Sequence, residues 1–327
     1  MIKARLASSL ANVIGDSAER AMRLIENIKT GDLEFFEGYF NKLPGINFST
    51  NANAESKNGI IYITGKSIGE GSYGSVFKNR NNPYVYKLVA DKSKNKGDVQ
   101  KKKRFLKGVF QELIIQTLLQ SDEKYGDKIC KIYKIYRKDD AFILKLQALE
   151  CTLIDRLRLD RPNIVDKNKF SKFVVDLILN VNEMLDYLYE KYGFRHQDLH
   201  EENIMTVYKG DIISNMTIID FGRSCVNFED VKIGQFDKDI EHDVNMIIKD
   251  LYKFGCKQGT PVISNRLIEI MKPFHFDDMV VYDDDGLPTF FPDLKPLKTL
   301  LSELKNGPIT NNVTGGRKTR GKRTRKA

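Results

Sequence analysis

The sequence predicts an α+β protein of two lobes, and three observations carry that reading. Short β-type runs punctuated by turns fill residues 60–149, the remainder is mainly helical in period, and 327 residues are enough to bury a sizeable core in each part. Hydrophobic residues make up 41% of the chain and charged residues 30%, an ordinary globular balance that excludes wholesale disorder and repeat or collagen-like architectures.

In chain order, apolar residues at Leu6, Leu10, Val13, Ile14, Ala21, Leu24 and Ile25 recur close to helical spacing and predict an amphipathic N-terminal helix over 4–28. Serines, an asparagine, Asp16 and Glu19 interrupt its apolar run, so a secretion or import signal is disfavoured. An aromatic-rich stretch, 32–48, is broken by Leu43-Pro44-Gly45, and 49–59 has linker composition. Strands are expected over 60–68, 75–79 and 84–89, the last two joined by the short connection RNNP. After a lysine-rich stretch, GVFQELIIQTLLQ (108–120) reads as an apolar helix, 129–137 and 141–149 as strands, and 169–192 as a long helix. The resulting domains are a helical extension and linker (1–58), a strand-rich lobe (59–149), a helical lobe (150–305) and a tail (306–327).

The net charge is +9, but the last 13 residues hold seven cations and no acid; without those seven the chain nets +2. That pattern excludes a fold-wide nucleic-acid surface and describes a basic tail on a near-neutral body. Residues 315–327 are expected to be a disordered arm with affinity for a polyanion such as nucleic acid; an import address, an anionic-membrane contact and a merely solubilising end remain alternatives. Four widely spaced cysteines form no CxxC pair, which argues against a zinc ribbon and for a reducing, intracellular (cytoplasmic or nuclear) setting. No apolar run is long enough to span a membrane, and DDDG (283–286) fits a polar turn better than a calcium loop.

Five segments carry chemistry. GEGSYGSV (69–76) fits G-x-G-x-x-G-x-V between two expected strands, where glycines let backbone N–H groups approach phosphates closely; alone, it could be a Gly-rich hairpin turn. Lys87 lies on a strand of valines and tyrosines. Glu112, the sole carboxylate between Asp98 and Asp122, lies on an apolar helix, so the two are expected to pair, a solvated Glu112 being the alternative. HQDLHEENIM (196–205) sets Asp198 five residues before Asn203, and seventeen residues later Asp220-Phe221-Gly222 follows the apolar run MTII. An Asp beside a hydroxyl acceptor, with an Asn and a second Asp for a hard cation, is what phosphoryl transfer requires.

In these motifs, taken in order, the chain resembles the protein kinase superfamily over about residues 60–305. The resemblance implies a bilobal kinase fold with ATP and Mg²⁺ as cofactors. It places the loop Gly69, Glu70, Gly71, Ser72, Tyr73, Gly74 and Val76 over the phosphates, and Lys87, held by Glu112, on them. Asp198 would be the catalytic base, Asn203 and Asp220 the magnesium ligands, and Gln147 to Leu149 the adenine-contacting hinge, with Leu146 behind it. Asp243 would brace the catalytic loop. The activity implied is that of a serine/threonine protein kinase with a protein substrate; alternatives are a small-molecule kinase of the aminoglycoside or choline type and a pseudokinase scaffold.

Three departures stand out. Gln197 replaces the Arg that usually receives an activation-loop phosphate, so that loop is not expected to need phosphorylation. His200 replaces the Lys that commonly contacts the γ-phosphate, a form similar to haspin-like, large-DNA-virus, aminoglycoside and choline kinases. No A-P-E motif occurs, and only residues 223–242 separate Gly222 from Asp243.

Overall fold

The structure, a computed structural model, describes residues 1–49, 60–62, 67–71, 74–78, 83–91, 98–161, 164–209, 212–236, 238, 240–256, 261–272, 281–282, 288–290 and 297–306. The basic tail and the DDDG turn lie outside them, as does the linker 50–59. Among the described residues the chain packs as two compact units, one drawn from residues 1–160 with 180–247 and the other from 161–179 with those after 247.

The first unit begins with α1 (Ile2–Ile14), α2 (Ala18–Asn27) and α3 (Leu33–Phe40). The single helix expected over 4–28 is thus two. Gly15, at φ 70°, caps α1 in the left-handed conformation, and Ser17 caps α2 by accepting the Arg20 N–H. Next come β1 (Asn47–Ser49) and β2 (Ile60–Tyr62), which pair in parallel. Of the strand expected over 60–68, residues 60–62 are strand, 63–66 lie outside the described residues, and Ser67 and Ile68 are not strand.

The strands β3 (Gly69–Gly71), β4 (Gly74–Lys78) and β5 (Tyr84–Ala90) are followed by α4 (Val99–Gln120), then β6 (Ile132–Lys138) and β7 (Ala141–Gln147). The α4 helix starts nine residues before the apolar segment, at Val99, just after Asp98, whose carboxylate caps the N–H groups of Gln100 and Lys101. The sheet order is β3-β4-β5-β7-β6, antiparallel throughout. A Cβ at Gly74 would collide with the Leu88 carbonyl oxygen, so only glycine lets β4 lie this close to β5.

Beyond this sheet lie β8 (Cys151–Thr152), α5 (Leu153–Asp160) and α6 (Lys167–Tyr192). The strands β9 (Ile204–Lys209) and β10 (Ile212–Ile218) join β8 in a three-stranded sheet, and β11 (Val226–Phe228) and β12 (Val231–Ile233) form a hairpin. The second unit is built from the first half of α6, the second half of α7 (Ile240–Cys256), α8 (Asn265–Met271) and α9 (Leu297–Asn306), with β13 (Val281–Tyr282) and β14 (Pro288–Phe290) between the last two. Within it the Ser171 hydroxyl accepts the Ser264 N–H at 2.7 Å, and Phe170 packs on Phe254. Among the described residues no helix is long and apolar enough to cross a membrane.

Candidate active site

The register of the five-stranded sheet places Gly69, Val76, Lys87 and Leu144 in one cross-strand row. Directly opposed residues share a face, so Lys87 and Val76 project to the same side. The neighbouring Tyr86, 1% exposed, projects to the other side and into the core. Lys87 Nζ then meets Glu112 Oε1 of α4 at 2.9 Å and Asp220 Oδ1 at 3.5 Å. The Lys87 and Glu112 side chains keep only 12% and 8% of their surface, so each charge depends on the other for its solvation. Burial works to lower the Lys87 pKa, but Glu112 and Asp220 outweigh it and hold the ammonium above its ordinary value. Asp220 is held below the usual carboxylate range: burial would raise it, and Lys87, His196 and the Gly222 N–H overcome that.

The loop carrying Asp198 is braced from beneath. Asp243, fully buried, accepts the N–H groups of His196 (2.8 Å), Gln197 (3.0 Å) and Leu199 (3.4 Å). The Asn203 side-chain N–H donates to the Asp198 carbonyl at 2.8 Å, and the Asn203 carbonyl accepts the Ile219 N–H at 3.0 Å. His196 Nε2 lies 3.0 Å from the Ile219 carbonyl, and Phe221 is buried against the His196 and Phe194 rings. These bonds tie the 196–203 loop to the segment that delivers Asp220. Both Gln197 and Asp220 sit at positive φ (65° and 61°), a left-handed conformation that non-glycine residues adopt at a cost and that clusters at functional sites.

A model of the protein kinase domain matches residues 62–239, more than half of the chain. The chain belongs to the protein kinase family. Membership makes it a phosphotransferase, with ATP as the phosphoryl donor of the family. Among solved structures, this kinase is similar to the crystal structure of the kinase domain of PF14_0431, at 15% identity over 79% of this chain and 88% of that one, with a TM-score of 0.43. No curated protein matches it.

Within the kinase, Lys87, Glu112 and Asp220 come together in one ion-pair cluster, and Asp198 and Asn203 in one hydrogen-bonded loop. His200 caps the turn Glu201–Asn203 through Nδ1, and its Nε2 lies 3.1 Å from the Asn203 side-chain nitrogen. Of the glycine-rich loop, Gly69, Glu70 and Gly71 form β3, and Gly74 and Val76 lie on β4, while Ser72 and Tyr73 lie outside the described residues. Among the described residues, nothing lies within 4 Å of where a Cβ at Gly69 would be. At the end of β7 the Gln147 N–H donates to Lys131 and the Ala148 N–H to Pro83, and Leu149 follows.

Three contributors escaped the sequence reading. Arg223 reaches Asp198 Oδ1 at 3.4 Å, Lys238 bonds to Gln197, and the N-terminal helices cover α4. The position of Arg223 directly after Asp220-Phe221-Gly222 was the one available hint to the first. The other two are long-range contacts with no local pattern.

Proposed function

We propose that this kinase transfers the γ-phosphoryl group of ATP to a serine or threonine hydroxyl of a protein. The observation that carries the reading is Lys87 Nζ between Glu112, at 2.9 Å, and Asp220, at 3.5 Å, an arrangement that keeps a buried strand lysine charged and able to face nucleotide phosphates. In this reading Lys87 holds the α- and β-phosphates under the loop of residues 69–76. Asp198 accepts the proton of the acceptor hydroxyl as its oxygen bonds to phosphorus, and ADP leaves with the bridging oxygen. Gln147 and Ala148 spend their N–H groups on the Lys131 and Pro83 carbonyls, and in this reading the backbone of Gln147 to Leu149 contacts adenine.

Asn203 and Asp220 would hold magnesium. The donor set fits: Asn203 directs its N–H to the Asp198 carbonyl and so keeps its side-chain oxygen for a cation, and the Asp220 carboxylate is held ionised. Among the described residues no group of three or more His, Cys, Asp or Glu side chains could hold a metal by itself, so in this reading substrate phosphates complete the cation's shell. When bound, magnesium neutralises charge developing on the phosphoryl oxygens. In this reading His200, beside Asn203, takes the place of the Lys that commonly contacts the γ-phosphate.

Residues 59–149 and 150–305 are the two kinase lobes in this reading, with 1–58 as an extension and 306–327 as a basic arm. A second reading, a small-molecule acceptor, is favoured by His200 and by the short segment 223–242, part of which is folded into the β11–β12 hairpin. Side-by-side assays on basic proteins, acidic proteins, aminoglycosides and choline separate the two. Phosphate on protein hydroxyls is the expected result, and turnover of a small alcohol with none on proteins overturns it.

A further inference from the structure

Every position of α4 from Glu112 to Leu119 is buried, more than two full turns without a solvent-facing side. A helix apolar all round must be covered on both faces. One cover is the sheet, where Phe110 meets Phe142 of β7 edge to face at 5.6 Å. The other is the N-terminal extension. Phe36 of α3 stacks on Phe110 at 6.2 Å, Tyr39 meets the same ring at 6.1 Å, and Glu37 pairs with Lys102 at 2.5 Å. The Lys29 carbonyl accepts Lys107 Nζ at 3.1 Å, and Ser121, just past α4, reaches Ser9 of α1 at 3.3 Å.

The same extension is fastened to the sheet. Phe40 packs on Phe142 at 4.8 Å, and beyond α3 the chain pairs with the edge strand β6: the Pro44 carbonyl accepts the Arg137 N–H at 3.0 Å and the Ile46 N–H donates to the Arg137 carbonyl at 3.2 Å. Lys87 belongs to the sheet and Glu112 to α4. An element bonded to both bodies fixes the distance between them.

The geometry points to Phe36 and its neighbours on α3 as positioning residues that set the Lys87–Glu112 ion pair, so that the extension is a built-in bracket for the catalytic lysine. This inference rests on the kinase reading above. It makes α4 placement a property of the chain itself, supplied by residues 1–46 rather than by a separate partner protein.

A double-mutant cycle in the full-length protein tests it, pairing Phe36→Ala with Glu112→Gln at a temperature where circular dichroism shows both folded. Phe36→Ala alone is expected to lower kcat by about 10- to 100-fold, the scale of a misplaced catalytic group. In the Glu112→Gln background the same change should cost less than about twofold, because the pair it positions is already gone. Equal losses in both backgrounds, or no loss in either, overturn the inference. If Phe36→Ala does not fold, Phe36→Leu and the reversed pair Glu37→Lys with Lys102→Glu replace it; each single charge change should lower kcat and the double should restore it, and no restoration overturns it. Amide exchange gives an activity-free readout: faster exchange over 108–116 with the β5 and β7 amides unchanged is expected, and unchanged exchange over 108–116 counts against the bracket. Wild-type transfer that survives Asp198→Ala would instead contradict the kinase reading and leave the exchange result to decide the bracket.

Discussion

The side-chain oxygen of Gln197 accepts the backbone N–H of Lys238 at 3.1 Å. The other end of the same amide donates to the carbonyls of Arg223, at 2.9 Å, and Gln235, at 2.5 Å, and the Gln197 carbonyl accepts Lys238 Nζ at 3.4 Å. A neutral side chain thus ties the residue before Asp198 to both ends of the 223–238 segment, the task an Arg–phosphate pair performs in phosphorylation-dependent kinases. Protein made in bacteria and treated with phosphatase should therefore keep most of its activity, while Gln197→Ala should lower kcat by about tenfold. A collapse of activity on dephosphorylation would show that a phosphate, not Gln197, orders the segment.

Glu112→Gln keeps shape and removes charge. Burial then acts on Lys87 against Asp220 alone, so the lysine pKa falls. In the wild type the folded pKa is raised; its stabilising contribution is complete below the ordinary lysine value of 10.5 and is lost only as pH rises through the higher folded value. The expected outcome is a kcat/KM profile with no alkaline limb from Lys87 below about pH 10 in the wild type and a limb displaced to lower pH in the variant, with kcat down about 10- to 100-fold. Superimposable profiles would mean Glu112 does not hold the Lys87 charge.

Much of this site was legible because its chemistry is local or its cost is plain. Asp198 and Asn203 stand in one loop, and a lone carboxylate on an apolar helix has to find a cation, which is how Glu112 led to Lys87. The extension was legible only as something that packs. Nothing in residues 1–46 says which face Phe36 covers, since stacking on Phe110 joins positions 74 residues apart. The charges of 99–107 hid the first turns of α4, although Asp98 was a legible cap. The alternation of Val226, Phe228, Val231 and Ile233 around Glu229-Asp230 was a hairpin signature that the kinase motifs overshadowed. Parallel pairing of β1 with β2 has no local code at all.

Asp122, whose side chain is fully buried, should anchor the first unit. It accepts the N–H groups of Lys124 and Tyr125 and, at 2.8 Å each, Lys191 Nζ and the Tyr192 hydroxyl. Burial alone would raise its pKa, but these donors hold it below the usual carboxylate value of 3.8. Its contribution is therefore present above that value and lost as pH falls through the lower folded one. Because Lys191 stays one-third exposed, Asp122→Ala should cost about 2–3 kcal/mol in urea unfolding at pH 7, less than a fully buried pair. The gap between wild type and variant should narrow below about pH 4. A gap that does not change with pH would locate the loss in packing instead.

The basic arm should add affinity without serving catalysis. Truncation at Asn312 is expected to leave transfer to a short neutral peptide intact and to weaken retention on a nucleic-acid column, with a difference that shrinks as salt rises. Lost ATP turnover in the truncated protein would make the arm part of the working fold.

Transfer of label from γ-labelled ATP in the presence of magnesium, wild type against Asp198→Ala, reads out phosphoryl transfer at this site. The bracing runs from the N–H groups of His196, Gln197 and Leu199 to Asp243 and does not use the Asp198 carboxylate, which is one-third exposed, so the substitution leaves that bracing in place. Label on a protein serine or threonine is expected with the wild type, and a loss of at least about 10²-fold in the variant, the scale of a removed general base. Equal labelling by the two proteins would contradict transfer at this site.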